Sequence, residues 1–253
     1  MKITIVTAWG SEAELAPYFL KHYSYADEII ILYGQIEDKT LEIAASYPNV
    51  RLVEVHYQDN RWSMWVKQKA IDDHCAKITE GWFYCVDADE FIFPMVDGNI
   101  IDDPHDFLEK ADGNIMRAWI WQVFRSEQEK DLVPDFPIIY QRRYGIADFK
   151  ASWKEGNVTK YAYQYIKPVV AKPEAKPLFH PGGHEVHDRP EYAWSSEQFW
   201  GTHWHYADAD MAIAREARKI RNIVDDQRWL VDGVNEDVIR KLCEDHLNDP
   251  RLF

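Results

Sequence analysis

The sequence predicts an α/β fold: a single domain built on a mostly parallel central sheet with helices on both faces and an elaborated C-terminal half. Three observations predict it. The first 90 residues alternate apolar, β-branched runs with amphipathic segments of helical length. The runs are apolar throughout instead of at every second residue, which marks strands covered on both faces. Cap and turn residues stand at each change of period. With 253 residues, 46% of them hydrophobic, the chain is long enough to bury a large core and too apolar for disorder.

Lys2–Ala8 reads as the first strand. Ser11-Glu12-Ala13-Glu14 is a capping-box pattern that predicts a helix running to about Tyr23. Glu28–Tyr33 is a second strand, and Asp38 or Thr40 caps a helix ending near Tyr47-Pro48-Asn49. Val50–Val55 is a third strand, Ser63–Thr79 a helix and Trp82–Val86 a fourth strand. Right-handed crossovers between such strands put ligands at their carboxyl ends. After Asp89 prolines break the pattern into shorter pieces. Ile115–Phe124, Ile138–Arg142 and Lys167–Lys172 read as strands, the last two at a sheet edge; Asp210–Val224 and Asn235–Leu247 read as helices. No linker divides the chain, so residues 1–253 are expected to form one domain.

The net charge of −14 argues against nucleic acid and against an anionic membrane surface, and no basic run is longer than Gln141-Arg142-Arg143. It does not forbid an anionic small ligand, because one metal ion reverses the local field. No stretch of 18 apolar residues is present, so no transmembrane segment is expected, and the apolar N-terminus is too short for a signal peptide. Cys75, Cys85 and Cys243 are odd in number and lack metal-type spacing; reduced thiols and a cytoplasmic location are expected.

The most informative segment is Trp82-Phe83-Tyr84-Cys85-Val86-Asp87-Ala88-Asp89-Glu90-Phe91. An apolar strand runs directly into acids at the edge where a parallel sheet binds ligands. Two carboxylates there repel and need a cation. Mn²⁺ or Mg²⁺ fits, held by carboxylate and by the oxygens of a substrate diphosphate. The chain repeats the tripeptide at Asp208-Ala209-Asp210, but there it precedes a helix and reads as an N-cap.

At these residues the chain resembles the GT-A fold glycosyltransferases, in particular the family-2-like group of Asp-x-Asp-Glu-Phe type. The likeness is best over residues 1 to about 93. The first strand with Ser11-Glu12, the segment Ile31 to Thr40, Lys67-Gln68-Lys69-Ala70, which sits where the family often has Arg-Asn before a helix, and Asp87-Ala88-Asp89-Glu90-Phe91 each match a family feature. The resemblance implies a Rossmann-like sheet, with a nucleotide-sugar-binding half over 1–93 and an acceptor-binding half with C-terminal helices over 94–253. It implies a metal-dependent transferase that moves a sugar from a nucleotide-diphosphate donor to a hydroxyl of a glycan or other acceptor. Asp87 and Asp89 would serve the metal and donor, and Glu12, Asp38, Lys67 and Lys69 fall in segments that contact the donor. The family places an Asp at the end of the second strand, where this chain has Tyr33. Glu12 or Glu37 can take that role, or Tyr33 can stack on the base.

Five of the ten histidines lie between residues 180 and 205: His180, His184, His187, His203 and His205. An alternating strand would put His203 and His205 on one face. Similar enzymes often use a late His, frequently followed by Tyr, as a further metal ligand. His205-Tyr206 fits best, His203 next and His184 third. Positive charge for a diphosphate is available at Lys67, Lys69, Arg61, Arg142, Arg143, Lys154 and Lys167, whereas Arg215, Lys219 and Arg221 read as the exposed side of one helix. Trp119, Trp121, Trp153, Trp194, Trp200 and Trp204 offer flat faces for an acceptor sugar. An inverting mechanism needs a carboxylate base; Glu185, Asp188 and Asp148 are the candidates. Two other readings are a hydrolase with Zn²⁺ or Fe²⁺ held by His and Asp, and a non-catalytic carbohydrate-binding module.

Overall fold

The computed structural model describes residues 1–56, 63–126, 128–142, 144–146, 149–154, 157–162, 166–179, 186–187, 190–205, 207–222 and 235–247. The N-terminal half follows the predicted alternation: β1 (Ile3–Trp9), α1 (Ala16–His22), β2 (Glu28–Tyr33), α2 (Thr40–Ala45), β3 (Val50–Glu54), α3 (Met64–Cys75) and β4 (Trp82–Cys85). There follow β5 (Glu90–Val96), β6 (Asn99–Ile100), α4 (His105–Glu109), β7 (Ile115–Phe124), β8 (Tyr144–Ile146), β9 (Phe149–Lys154), β10 (Asn157–Ala162), β11 (Ile166–Ala171), β12 (Phe199–His203), α5 (Ala209–Asn222) and α6 (Glu236–Leu247).

Ten strands form one sheet in the order β3-β2-β1-β4-β11-β7-β12-β5-β6, with β8 attached to β7, while β9 and β10 pair separately. The pairings β1–β2, β2–β3, β1–β4 and β7–β12 are parallel. Antiparallel pairings reverse β11, β5 and β8, so the other seven of the ten run one way. The expected mostly parallel α/β sheet is therefore present. Its faces are filled as the continuous apolar strands require. Ile3, Ile5, Ile29, Ile31, Trp82 and Tyr84 pack with Leu15, Phe19 and Leu20 beside α1, and Val6, Ile30, Leu32 and Phe83 pack with Ile71 and Cys75 of α3. Each such buried side chain contributes about 1.5–3 kcal/mol of apolar transfer energy. No helix among the described residues is long and apolar enough to cross a membrane.

Three local readings are corrected. Ser11-Glu12-Ala13-Glu14 does not open the helix: α1 begins at Ala16, and the Ser11 hydroxyl accepts the Glu37 N–H at 2.8 Å, so this stretch is a turn over the strand ends. Ile138–Tyr140 is a 3-10 turn and not a strand, since Pro137 sets its entry. The strand at Lys167 lies centrally between β4 and β7, not at an edge. Its pairing with β7 shifts register between Lys167 and Val170, where Pro168 has no N–H to give. The other tripeptide behaves as read: Asp208 accepts the N–H groups of Asp210 and Met211 at the start of α5.

Candidate functional site

Residues 86–89 carry the chain from β4 to β5, strands that β11, β7 and β12 separate within the sheet. The acidic turn therefore runs along the carboxyl edge, past the start of β11 and the ends of β7 and β12. Its ends are pinned. Glu90 N–H donates to Asp87 O at 3.1 Å, closing the turn. Tyr23, the C-cap of α1, donates its hydroxyl to Glu90 O at 2.9 Å and accepts the Ile92 N–H at 3.0 Å. Asp89 O accepts the Trp204 N–H at 2.8 Å, which ties the turn to the end of β12.

The two aspartates face different partners. Asp87 accepts from Lys67 Nζ at 2.6 Å and Lys167 Nζ at 3.2 Å. Lys167, with its side chain 3% exposed, also pairs with the fully buried Glu90. Glu90 in turn accepts the Asp87 N–H at 3.0 Å. Burial works to raise the Asp87 carboxyl, but Lys167 and Lys67 reverse it and hold the group far below the usual carboxylate range. Burial likewise works against the charged Lys67, and the Asp87 carboxylate outweighs it and raises the amine.

Asp89 Oδ2 lies 3.3 Å from His203 Nε2, 3.1 Å from His205 Nδ1 and 2.9 Å from Arg215 Nη1. One atom from each of Asp89, His203 and His205 falls within 4.8 Å of the others, a spacing that a metal ion can bridge. The two imidazoles are stacked, with centroids 5.7 Å apart and planes 23° apart. Gln122 of β7 donates to His203 O at 2.9 Å, fixing the strand end that presents the pair. Burial would raise Asp89, and Arg215 and His203 more than reverse it. Burial would also discharge His205, and its contacts with Asp89 and Glu216 prevail, raising its pKa.

Around this centre the predicted residues separate. Glu12 faces Arg215 Nε at 3.1 Å; burial pushes its carboxyl up and Arg215 opposes that shift. Asp38 accepts the N–H groups of Ala13 and Thr40, which makes it a turn-former under the β1–α1 loop. Tyr33 is the last residue of β2, half-buried at the carboxyl edge. Lys69 is not brought in: it pairs with Asp73 one turn along the exposed side of α3. Arg142 is buried, donates to Lys130 O and Gln141 O, and lies over the Trp204 ring. His184, Glu185, Asp188 and Asp148 lie outside the described residues, as do His180, Arg61, Arg143 and Tyr206; Lys154 and Trp153 are placed only as residues of β9. Of the tryptophans, Trp204 is core, whereas Trp119 and Trp121 of β7 each stack with Trp200 of β12, with centroids 6.5 and 5.2 Å from it.

Two site residues were missed by sequence reasoning. Arg215 was expected on an exposed helix side, yet its side chain is 10% exposed and joins Glu12 to Asp89. Glu216, next to it, accepts from His205 Nε2 at 2.6 Å. The signal was present as spacing: Arg215, Arg218 and Arg221 repeat every three residues and meet Glu12, Glu14 and Glu37.

No family model and no curated protein matches this chain. Among solved structures it is similar to the glucosyl-3-phosphoglycerate synthase of Mycobacterium tuberculosis in complex with Mn²⁺, UDP-glucose and phosphoglyceric acid. Identity is 15%, covering 73% of this chain and 62% of that one, with a TM-score of 0.38. The chain thus spans less than two thirds of that synthase. A mycobacterial protein is similar at 14% identity over 89% of this chain and 76% of its own, with a TM-score of 0.42. The mannosyl-3-phosphoglycerate synthase of Rubrobacter xylanophilus is similar at 14% identity over 53% and 44%, with a TM-score of 0.33.

Proposed function

We propose that this chain is a metal-dependent glycosyltransferase that moves a sugar from a nucleotide-diphosphate donor to a hydroxyl of a glycan or other acceptor, with inversion. One observation carries the reading: Asp89, His203 and His205 converge at the carboxyl edge of the sheet, within an acidic motif bordered by Lys67, Lys167 and Arg215. One carboxylate and two imidazoles suit Mn²⁺ better than Mg²⁺, which favours oxygen ligands. When bound, such an ion supplies Lewis-acid stabilisation to a departing diphosphate. Lys67 and Lys167, neutralised by Asp87 and Glu90, keep cations beside that position, and Arg215 is held to it by Glu12.

Residues 1–93 supply the nucleoside side, with Tyr33 at the end of β2 as the candidate to meet it, and 94–253 supply the acceptor side together with His203, His205, Lys167 and Arg215. The stacked Trp119, Trp121 and Trp200 offer sugar-binding faces; Trp121 directly precedes Gln122, which holds the His203 carbonyl. Glu185, Asp188 and Asp148 are the candidate bases.

The test is thermal melting with a panel of nucleoside diphosphates and nucleotide sugars, each with Mn²⁺, Mg²⁺ or Zn²⁺. A melting shift that needs both a nucleotide and Mn²⁺, with slow release of sugar, is expected. If no nucleotide shifts the melt with any metal, the reading fails. Zn²⁺-dependent hydrolysis without nucleotide binding would indicate a hydrolase, and nucleotide-independent sugar binding a carbohydrate-binding module. The anomer of the product, read by proton NMR, tests inversion.

A further inference from the structure

We propose that Glu216 is a positioning residue: it commits His205 Nε2 as a hydrogen-bond donor and so leaves His205 Nδ1 as the nitrogen that binds the ion. This rests on the reading above that Asp89, His203 and His205 hold a divalent metal. Imidazole has two ring nitrogens, and a neutral ring binds metal only through the one that carries no proton. In this structure each nitrogen of His205 meets a carboxylate, and only one of the two carboxylates belongs to the cluster. Nε2 lies 2.6 Å from Glu216 Oε1, on the side away from the cluster. Nδ1 lies 3.1 Å from Asp89 Oδ2, inside it.

Glu216 is itself well fixed. Its residue is 3% exposed, it sits one residue after Arg215 on α5, and Arg215 is anchored by Glu12 and Asp89. Lys219 of the same helix lies 3.8 Å from the oxygen that meets His205. A carboxylate buried this fully needs a hydrogen-bond donor, and the Nε2–H supplies one. The same contact fixes the ring plane and raises the basicity of Nδ1, as outer carboxylates do for metal-bound histidines. His203 is presented differently: its Nε2, not Nδ1, faces Asp89, and β12 and Gln122 hold its backbone. The geometry therefore points to a mixed pair, Nε2 of His203 and Nδ1 of His205.

The experiment uses the full chain with the metal alone as probe. Mn²⁺ affinity is measured by electron paramagnetic resonance of the free ion in wild type, Glu216→Ala, Glu216→Gln and His205→Ala. Nitrogen-15 NMR of the Zn²⁺-loaded wild type assigns the proton-bearing ring nitrogen of His205. Glu216→Ala is expected to weaken Mn²⁺ about 10- to 100-fold. Glu216→Gln, whose amide oxygen still accepts the Nε2–H, is expected to weaken it less. The NMR is expected to show a proton on Nε2. Metal on Nε2 of His205, or Glu216→Ala within about twofold of wild type while His205→Ala loses the ion, would overturn the proposal. A wild type that binds neither Mn²⁺ nor Zn²⁺ would instead remove the metal reading itself. Should Glu216→Ala not fold, Glu216→Gln and the nitrogen assignment decide the question.

Discussion

The chain contains the tripeptide Asp-Ala-Asp twice, at residues 87–89 and 208–210, in two regions that use it in different ways. At the carboxyl edge of the sheet, half-buried Asp87 and buried Asp89 sit among lysines, imidazoles and a guanidinium. At the start of α5, Asp208 takes up helix N–H groups and Arg125, and the exposed Asp210 meets Arg240. The residues are identical, so the chemistry comes from placement. A strand end in a sheet gathers side chains from several strands, whereas a helix N-terminus offers mainly its own amides. The regions are also linked, because the helix that Asp208 caps carries Arg215 and Glu216 back to Asp89 and His205.

Substitution can break this contrast. Asp89→Ala is expected to have the largest effect: at least about a 100-fold loss of Mn²⁺ affinity by calorimetric titration, and loss of nucleotide-sugar turnover. It also leaves Arg215 with Glu12 alone, so a stability loss of about 3 kcal/mol is expected in urea unfolding. Asp87→Ala is expected to cost about 2–3 kcal/mol through Lys67 and Lys167, with a smaller loss of metal affinity than Asp89→Ala. Equal metal losses in the two variants would make Asp87 a ligand as well. Asp208→Ala is expected to cost about 1 kcal/mol as a lost cap, with Mn²⁺ affinity within about threefold of wild type. A metal loss there as large as that of Asp89→Ala would erase the distinction.

The smallest effect is a pH dependence. Burial works to raise the Asp208 carboxyl, and Arg125 and the helix N–H groups outweigh it, so its pKa is lowered in the fold. A lowered carboxyl pKa means that the unfolded chain takes up protons first as pH falls. The stability Asp208 contributes is thus complete above its unfolded pKa of about 3.9 and is lost as pH falls through the lower folded value. The difference in stability between wild type and Asp208→Asn, followed from pH 6 to pH 2.5, is expected to shrink as the carboxyl takes up its proton.

The sequence made the N-terminal sheet legible because β1, β2 and β4 are mostly apolar runs beside helices, and only that layering buries them; β3, at the sheet edge, carries exposed Arg51 and Glu54. The acidic turn was legible for the same reason: it follows such a strand. The start of α1 was misread because Ser11 serves Glu37, 26 residues away, instead of its own helix. Lys167 was named among many cations, but nothing local announced that its strand lies in the middle of the sheet. Arg215 and Glu216 were hidden because a charged helix face reads as solvent-exposed until the opposite charges from Glu12 and His205 are known to meet it.

The central place of β11 bears on how the chain folds. β4 pairs with β1 on one side and with β11 on the other, and β11 follows β4 by some eighty residues. Until Ile166–Ala171 is in place, the far edge of β4 lacks its native partner strand, next to the turn that bears Asp87. Closing so long a loop before any reward is slow, and an open apolar edge invites pairing with other chains. A fragment ending near residue 93 carries the four parallel strands yet leaves this seam bare. We expect it to aggregate where the whole chain does not, so the sheet is completed from its middle by one of the last strands to be made.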